Sequence, residues 1–248
     1  MSKMNLMRLV LACSAVILAA CQSPTNEGGG FVGGSGHSVY GDRPGPQGFH
    51  TVLIDPGHGG KDSGARGRIP GMPEKVVALD IAKCLQSELS SFFNVRLTRS
   101  SDVFIPLDGR VAMANKTNDA ILVSIHLNDG PRRLSGAETY WWRTDSYSLA
   151  KRVNASVRTV VTGSNNRGFV RRRLRLTRNP EIPGILVECG YVSNPREAGL
   201  LSSAGYRARI AHAIATAIRQ QAALGDSGVG PLPKPLFAPP SKATDARS

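Results

Sequence analysis

Four side chains that could bind a metal ion or transfer a proton stand at the ends or starts of predicted elements. They are His58, Glu74, His126 and Glu188. Three of them end, or closely follow, apolar runs that predict strands, and these runs are 51–55, 120–126 and 184–188. Because the carboxyl ends of parallel strands meet at one edge of a sheet, these side chains are expected to gather there. Glu74 opens a helical pattern, where the positive end of a helix favours an ionised carboxylate.

Two imidazoles and a carboxylate suit zinc, with an open fourth position for water. A bound metal lowers the pKa of that water toward about 7 and polarises a carbonyl. Attack on an amide also needs a base and a proton for the leaving amine, and one carboxylate such as Glu188 can supply both in sequence. The glycines around His58 let the backbone turn sharply, so that the imidazole reaches back over the sheet edge. A single histidine at a strand end is more often structural, so the metal hypothesis depends on the presence of all four side chains together.

The elements that must position these residues alternate along the chain. Strands are predicted at 51–55, 95–98, 120–126, 137–142 and 184–188. Helices are predicted at 74–89, 106–116, 146–161 and 195–221, the last one broken near Gly205. Strands joined by helices of this length predict a single α/β domain, with a mixed, mostly parallel sheet flanked by helices on both faces.

The first twenty residues are typical of a secretory signal peptide. A start with two cations and no acid precedes the apolar run 9–20, which is shorter than the roughly 20 residues needed to span a membrane. The ending Leu-Ala-Ala-Cys resembles the lipobox of bacterial lipoproteins, so Cys21 is expected to carry a lipid. The alternatives are an ordinary signal peptide or an N-terminal helix. By the same resemblance, Gln22 after the cysteine favours the outer membrane, facing the periplasm.

The mature chain divides into a tether, a core and a tail. Residues 21–48 are rich in glycine and predict a flexible tether, residues 49–222 form the core, and residues 223–248, with five prolines, predict a disordered tail. Two cysteines lie in the core, Cys84 and Cys189, and either a disulfide or two buried thiols fits an exported protein.

The chain is strongly basic, with 31 Lys and Arg against 18 Asp and Glu, a formal net charge of +13. Such a charge favours polyanions, and export makes nucleic acid the least suitable partner. Six arginines lie between 167 and 178, without the interleaved aromatic residues that RNA binding needs. The alternation at 173–176 allows one face to pack while Arg173 and Arg175 hold carboxylates of a substrate. A charged edge strand that resists aggregation is the equal alternative.

Six sequence motifs resemble the zinc-dependent N-acetylmuramoyl-L-alanine amidases, in the order of that family and over residues 50–222. They are DPGHGGKDSGA at 55–65, PEK at 73–75, LTRSSDVFIPLDGRVAMAN at 97–115, SIHLN at 124–128, GAETYWW at 136–142 and LVECGYVSNPRE at 186–197. These bacterial cell-wall hydrolases cut the amide bond between the lactyl group of N-acetylmuramic acid and L-alanine. The resemblance implies one Zn²⁺ per chain, held by His58, Glu74 and His126, with Glu188 as the catalytic acid and base.

The resemblance extends to further positions. Arg110 is expected to be a structural cation that pairs internally, and Asn128 is a candidate for lining the cleft. Asp55 either orients a metal ligand or serves the turn after its strand. Regulated members of the family insert a blocking segment after the strand of the second histidine. Only about twenty residues lie between His126 and Ser146 here, so no activator protein is expected to be required.

Two other functions remain compatible with the sequence. One is a non-catalytic lipoprotein that binds peptidoglycan, and the other is a zinc peptidase that cuts bonds within the stem peptide. Intact residues at all four site positions favour an enzyme over a binding protein. Because zinc chemistry is the same for both amide bonds, only the motif resemblance favours the amidase over the peptidase.

Overall fold

The computed structural model describes residues 41–67, 71–163 and 168–242. Within this part of the chain, six strands form one sheet in the order β2-β1-β3-β6-β4-β5. The strands are β1 (Thr51–Pro56), β2 (Asn94–Leu97), β3 (Ala120–Asn128), β4 (Glu138–Trp141), β5 (Phe169–Arg171) and β6 (Gly184–Tyr191). The helices are α1 (Glu74–Leu89), α2 (Leu107–Asn115), α3 (Tyr147–Val157), α4 (Arg175–Arg178), α5 (Pro195–Leu201) and α6 (Ala204–Leu224).

The sheet is mixed and mostly parallel, as the sequence predicted. Strand β1 runs parallel to β2 and β3, β3 runs parallel to β6, and β4 runs parallel to β5. Only β4 and β6 pair in the antiparallel sense among the described strands. Strands β1, β3 and β6 are buried along almost their whole length, which explains why each reads as a continuous apolar run.

Helices cover both faces of the sheet. Val52 and Ile54 of β1 face the larger core cluster, which α1, α3, α5 and α6 complete. Leu53 faces the smaller cluster, to which α2 contributes Ala114 and α4 contributes Leu176. This alternation follows from the two-residue period of a strand, and it confirms the prediction of a sheet flanked on both faces.

The basic run, residues 167–178, does not form a strand over the alternating positions 173–176, although the edge strand β5 contains its Arg171. Strand β5 ends at Arg171, and the short helix α4 begins at Arg175. The Oγ1 of Thr177 accepts a hydrogen bond from the backbone N–H of Leu174 and donates one to the carbonyl of Arg172. An alternation over only four residues does not separate a strand from a helical turn, and the hydroxyl of Thr177 supports the turn that forms.

The segments on either side of the core differ from the sequence-based expectation. The last eight residues of the predicted tether, 41–48, contact the domain, with Arg43 Nε 2.8 Å from Asp145 Oδ2. Residues 225–242 carry no regular strand or helix, yet they too hydrogen bond to the domain, so the prediction of a disordered tail is wrong for this part. For example, the side chain of Asp226 accepts from the backbone N–H of Gly45 at 3.0 Å.

Several sequence-based predictions fall outside the described residues. These concern the signal peptide, Cys21 and the tether up to residue 40. In the part of the chain that the structure does describe, every helix is too short or too polar to cross a membrane. Both core cysteines are free thiols, so the disulfide alternative for Cys84 and Cys189 is wrong.

Candidate metal centre and active site

Three potential metal ligands converge at the carboxyl end of the parallel strands. The ligand atoms of His58, Glu74 and His126 all lie within 4.8 Å of one another. Glu74 Oε1 is 3.0 Å from His58 Nε2 and 2.9 Å from His126 Nδ1. Two ring nitrogens and a carboxylate aimed at one point form a donor set that fits Zn²⁺. The structure thus brings together the three residues that the sequence suggested as ligands.

The backbone at His58 adopts a left-handed conformation that is unusual for a residue other than glycine, with a φ of +58°. Two buried arginines hold this turn through its carbonyl oxygens. Arg110 Nη2 donates to the carbonyl of His58 at 2.6 Å, and Arg99 Nη2 donates to that of Gly57 at 2.7 Å. A Cβ atom at Gly57 would collide with the ring of His126. The two arginines therefore hold the strained turn, and the ring of His126 packs closely against Gly57.

His58 is oriented by a second carboxylate. Asp62 Oδ2 lies 2.8 Å from His58 Nδ1, so the Nε2 atom is the one that points to Glu74. Burial lowers the pKa of His58, but the hydrogen bonds and negative charges of Glu74 and Asp62 outweigh burial and raise it. A carboxylate on the outer nitrogen of a metal-binding histidine fixes the tautomer and makes the imidazole a better ligand.

Glu74 is held in place as an ionised carboxylate. It is 4% exposed, and it accepts backbone hydrogen bonds from Leu127 at 3.0 Å and from Ala65 at 2.8 Å. Burial raises the pKa of Glu74, but the hydrogen bonds to His126 and His58 reverse this effect and place the pKa well below its ordinary value. The carboxylate is therefore charged at neutral pH and ready to bind a cation.

Arg110 pairs internally, as expected. Its Nη1 atom is 2.6 Å from Oδ1 of the fully buried Asp55, which also accepts from the hydroxyls of Thr98 at 2.6 Å and Ser124 at 2.7 Å. Among the described residues, the hydrogen bonds of Asp55 go to these three side chains and not to a potential ligand. Asp55 therefore acts on the site through Arg110, which holds the carbonyl of His58.

Sequence reasoning gave no role to Arg99 or Asp62, although both lie in motifs that it singled out. Arg99 is 3% exposed and donates to the carbonyls of Pro56 at 3.0 Å, Gly57 at 2.7 Å and Lys75 at 2.8 Å. It thus ties the turn after β1 to the first residues of α1, which carry Glu74. The available signal was an arginine directly after a predicted strand, within the motif at 97–115.

Glu188 lies beside the ligand group. It is the register partner of His126 on the parallel strand β3 and of Glu138 on β4. The residue as a whole is half-buried, but its Oε2 atom is buried and has no hydrogen-bond partner among the described residues. Burial, together with the negative charges of Glu74 and Glu138, raises the pKa of Glu188 well above its ordinary value. A carboxyl group whose surroundings raise its pKa, and which lies beside potential metal ligands, is a candidate for acid–base catalysis.

A cavity of about 400 Å³ opens beside the two histidines. One wall is formed by Phe104, Ile105 and Leu107, and another by 174–176. Arg175, a candidate for substrate binding, lines this cavity, and its Nε donates to Asp108 at 2.9 Å.

The other two substrate-binding candidates lie outside this cavity. The side-chain oxygen of Asn128 accepts from the backbone N–H of Asp129 at 3.1 Å. The carbonyl oxygen of Arg173 accepts from the hydroxyl of Ser241 at 2.9 Å.

A His–Glu–His group with a half-buried glutamate beside it, at the carboxyl edge of a mixed sheet, is typical of a hydrolase with a metal centre. Residues 52–220 match the family model of N-acetylmuramoyl-L-alanine amidase, and the chain belongs to this family. Probable cell wall amidase LytH of Staphylococcus epidermidis is 33% identical over 174 residues, which are 68% of this chain and 57% of that protein. This chain therefore matches less than two thirds of the length of that relative.

Two further relatives have matches that cover more of their own length. N-acetylmuramoyl-L-alanine amidase AmiA of Escherichia coli is 30% identical over 219 residues, covering 69% of this chain and 75% of that protein. The solved structure of N-acetylmuramoyl-L-alanine amidase AmiC2 of Nostoc punctiforme has a TM-score of 0.65 and 37% sequence identity, covering 70% of this chain and 97% of that one. The fold of the described core is thus the fold of a solved amidase.

Proposed function

We propose that this chain is a zinc-dependent amidase that hydrolyses the bond between the lactyl group of N-acetylmuramic acid and L-alanine in peptidoglycan. One observation carries the proposal: the ligand atoms of His58, Glu74 and His126 lie within 4.8 Å of one another, beside Glu188, whose buried Oε2 has no hydrogen-bond partner among the described residues. Family membership supports the choice of substrate.

The three ligands would hold Zn²⁺, which when bound polarises the scissile carbonyl and lowers the pKa of a water molecule. Glu188 accepts a proton from the attacking water and then delivers it to the leaving amide nitrogen. A C–O bond forms as the C–N bond breaks, so the products are a lactyl carboxylate and a stem peptide with a free amine. Asp62 holds the outer nitrogen of His58 during this cycle, and Arg110 holds its backbone.

Digestion of purified peptidoglycan, followed by mass spectrometry of the products, tests the proposal. An amidase releases free stem peptides that begin with L-alanine. A peptidase shortens stems that stay attached to sugar, and a binding protein releases nothing, so either of these results would overturn the proposal.

Two variants assign the roles of the site residues. Glu188→Gln is expected to retain zinc and to lose turnover by at least roughly a hundredfold, because it removes the proton carrier. His126→Ala is expected to lose the metal itself, and retained zinc would remove His126 from the ligands. The matched control is Glu88→Gln, a surface substitution on α1 where Glu88 faces His212.

We also propose that the domain works in the cell envelope on a lipid anchor and needs no activator. The Leu-Ala-Ala-Cys ending, the lipid expected on Cys21 and the glycine-rich stretch after it support the anchor. Labelling of cells with radioactive palmitate is expected to mark the chain, and Cys21→Ser is expected to abolish the label. Turnover of peptidoglycan by the purified chain alone tests the second point, because activity only after adding another envelope protein would contradict it.

A further inference from the structure

The segment after the last helix contacts the basic run. This segment, residues 231–242, lies beyond the part of the chain that matches the family model and is here called the strap. Three arginines donate to its backbone carbonyls: Arg171 to Lys234 at 2.8 Å, Arg178 to Ala238 at 2.9 Å and Arg175 to Ser241 at 2.7 Å. The basic run that the sequence suggested as a polyanion rim therefore binds the chain itself.

Ser241 is the anchor of the strap. It is 3% exposed, and its hydroxyl donates to the carbonyl of Arg173 at 2.9 Å. Its backbone N–H donates to Asn179 Oδ1 at 2.7 Å, and its carbonyl accepts from Asn179 Nδ2 at 3.1 Å as well as from Arg175. Side chains and backbone on both sides of α4 are thus tied to one residue of the strap.

The residues held in this way form one wall of the cavity beside the candidate metal centre. Leu174, Arg175 and Leu176 line the same cavity as His58 and His126. Helix α4 has four residues and β5 has three, and elements this short depend on tertiary contacts for their stability. Arg175 joins the two sides, because its Nε donates to Asp108 at the start of α2 and its Nη1 donates to the strap.

We propose that the strap is a positioning element for substrate binding, which holds the wall 174–176 at its distance from the two histidines. This inference rests on the proposed amidase function. A wall held by the strap keeps this side of the cavity shaped for the substrate, and a released wall loses contacts that stabilise the bound substrate and the transition state equally. The strap does not itself line the cavity, so its effect passes through Ser241 and Arg175.

Two truncated chains test the proposal. A chain ending at Gly230 lacks the strap but keeps Asp226 and its contact with Gly45, and a chain ending at Lys242 keeps the strap and serves as the control. With soluble muropeptides, loss of the strap is expected to raise KM roughly tenfold while kcat changes less than about twofold. Unchanged KM would overturn the proposal, and so would a lower KM, which would mean that the strap obstructs the site.

Amide hydrogen exchange gives a readout that does not depend on activity. Amides of 172–179 are expected to exchange at least roughly tenfold faster in the chain ending at Gly230, with β3 and β6 unchanged. If the full chain shows no amidase activity, the proposed function fails, and the exchange rates still decide whether the strap holds the wall.

A point variant covers the case in which the shortened chain does not fold. Ser241→Pro removes the N–H and the hydroxyl in a chain of full length, and it is expected to give the same local loss of protection. Equal protection from amide exchange in Ser241→Pro and in the unaltered chain would refute the proposed role of Ser241.

Discussion

Replacing Arg110 by methionine is expected to destabilise the fold and the metal site together. The change keeps much of the apolar length of the side chain but removes every donor. Arg110 is 2% exposed and its partner Asp55 is fully buried, so the carboxylate would keep only the hydroxyls of Thr98 and Ser124. The carbonyl of His58 would lose its donor at the same time.

The size of the effect follows from the burial of the pair. Removing one partner of a buried ion pair costs about 3–5 kcal/mol, which is a large part of the roughly 5–15 kcal/mol that stabilises a typical domain. At about 2–4 °C per kcal/mol for a domain of this size, Tm should fall by roughly 6–20 °C. Zinc affinity should fall as well, because the left-handed turn at His58 is no longer held.

Urea unfolding of the metal-free protein measures the first effect, and competition with a zinc chelator measures the second. The double variant Asp55→Asn with Arg110→Met removes the uncompensated charge, so it should be less destabilised than the sum of the single variants by more than about 1 kcal/mol. The control is Arg96→Met on the exposed side of β2, which should stay within about 0.5 kcal/mol. An Arg110→Met protein within 1 kcal/mol of the control would refute this reasoning.

Three further predictions concern the site. Gly57→Ala should weaken zinc binding by roughly tenfold or more, because the new Cβ collides with the His126 ring. The control Gly199→Ala places its Cβ in open space and should leave zinc binding unchanged. The pKa of Glu188 is higher in the folded chain than its ordinary 4.5. The unfolding free energy of the metal-free protein should therefore fall as the pH rises above 4.5 toward the pKa of the folded state. Urea titrations at several pH values should show this fall in the unaltered chain but not in Glu188→Gln. Removing zinc should lower the unfolding free energy by about 4 kcal/mol when free zinc is a thousandfold above its Kd, measurable as a lower Tm after chelation.

The sequence predicted the elements that are long or strongly patterned. Helix α1 begins and ends where its apolar spacing indicates, at Glu74–Leu89, and β1, β3 and β6 are the three runs with buried faces on both sides. The short elements β5 and α4 could not be predicted, because three or four residues carry too little periodicity. Their structure depends on contacts with a segment that is remote in sequence, and no local pattern records these contacts.

The candidate site was predictable in its ligands but not in its supports. His58, His126 and Glu188 follow strands that pair in parallel, so topology alone brings them to one edge. Arg99 and Arg110 support the turn through backbone carbonyls, which are the same for every residue type, and a sequence does not show which carbonyl a distant guanidinium will meet. The contact of Arg99 with Gly57, for instance, spans 42 residues.

The contacts between the basic run and the strap affect how its arginines can act on a charged partner. The carbonyl oxygens of the strap accept hydrogen bonds from Arg171, Arg175 and Arg178 but carry no negative charge. The strap therefore leaves the positive charge of the run in place, and with it a long-range attraction for an acidic polymer, although Asp108 pairs with Arg175. Paired binding of a carboxylate needs two donors of one guanidinium group. Arg171 already donates to Trp142 and the strap, and Arg175 already donates to Asp108 and the strap. Under the proposed function, these arginines would therefore serve the long-range attraction of an acidic polymer more than the close binding of a single carboxylate.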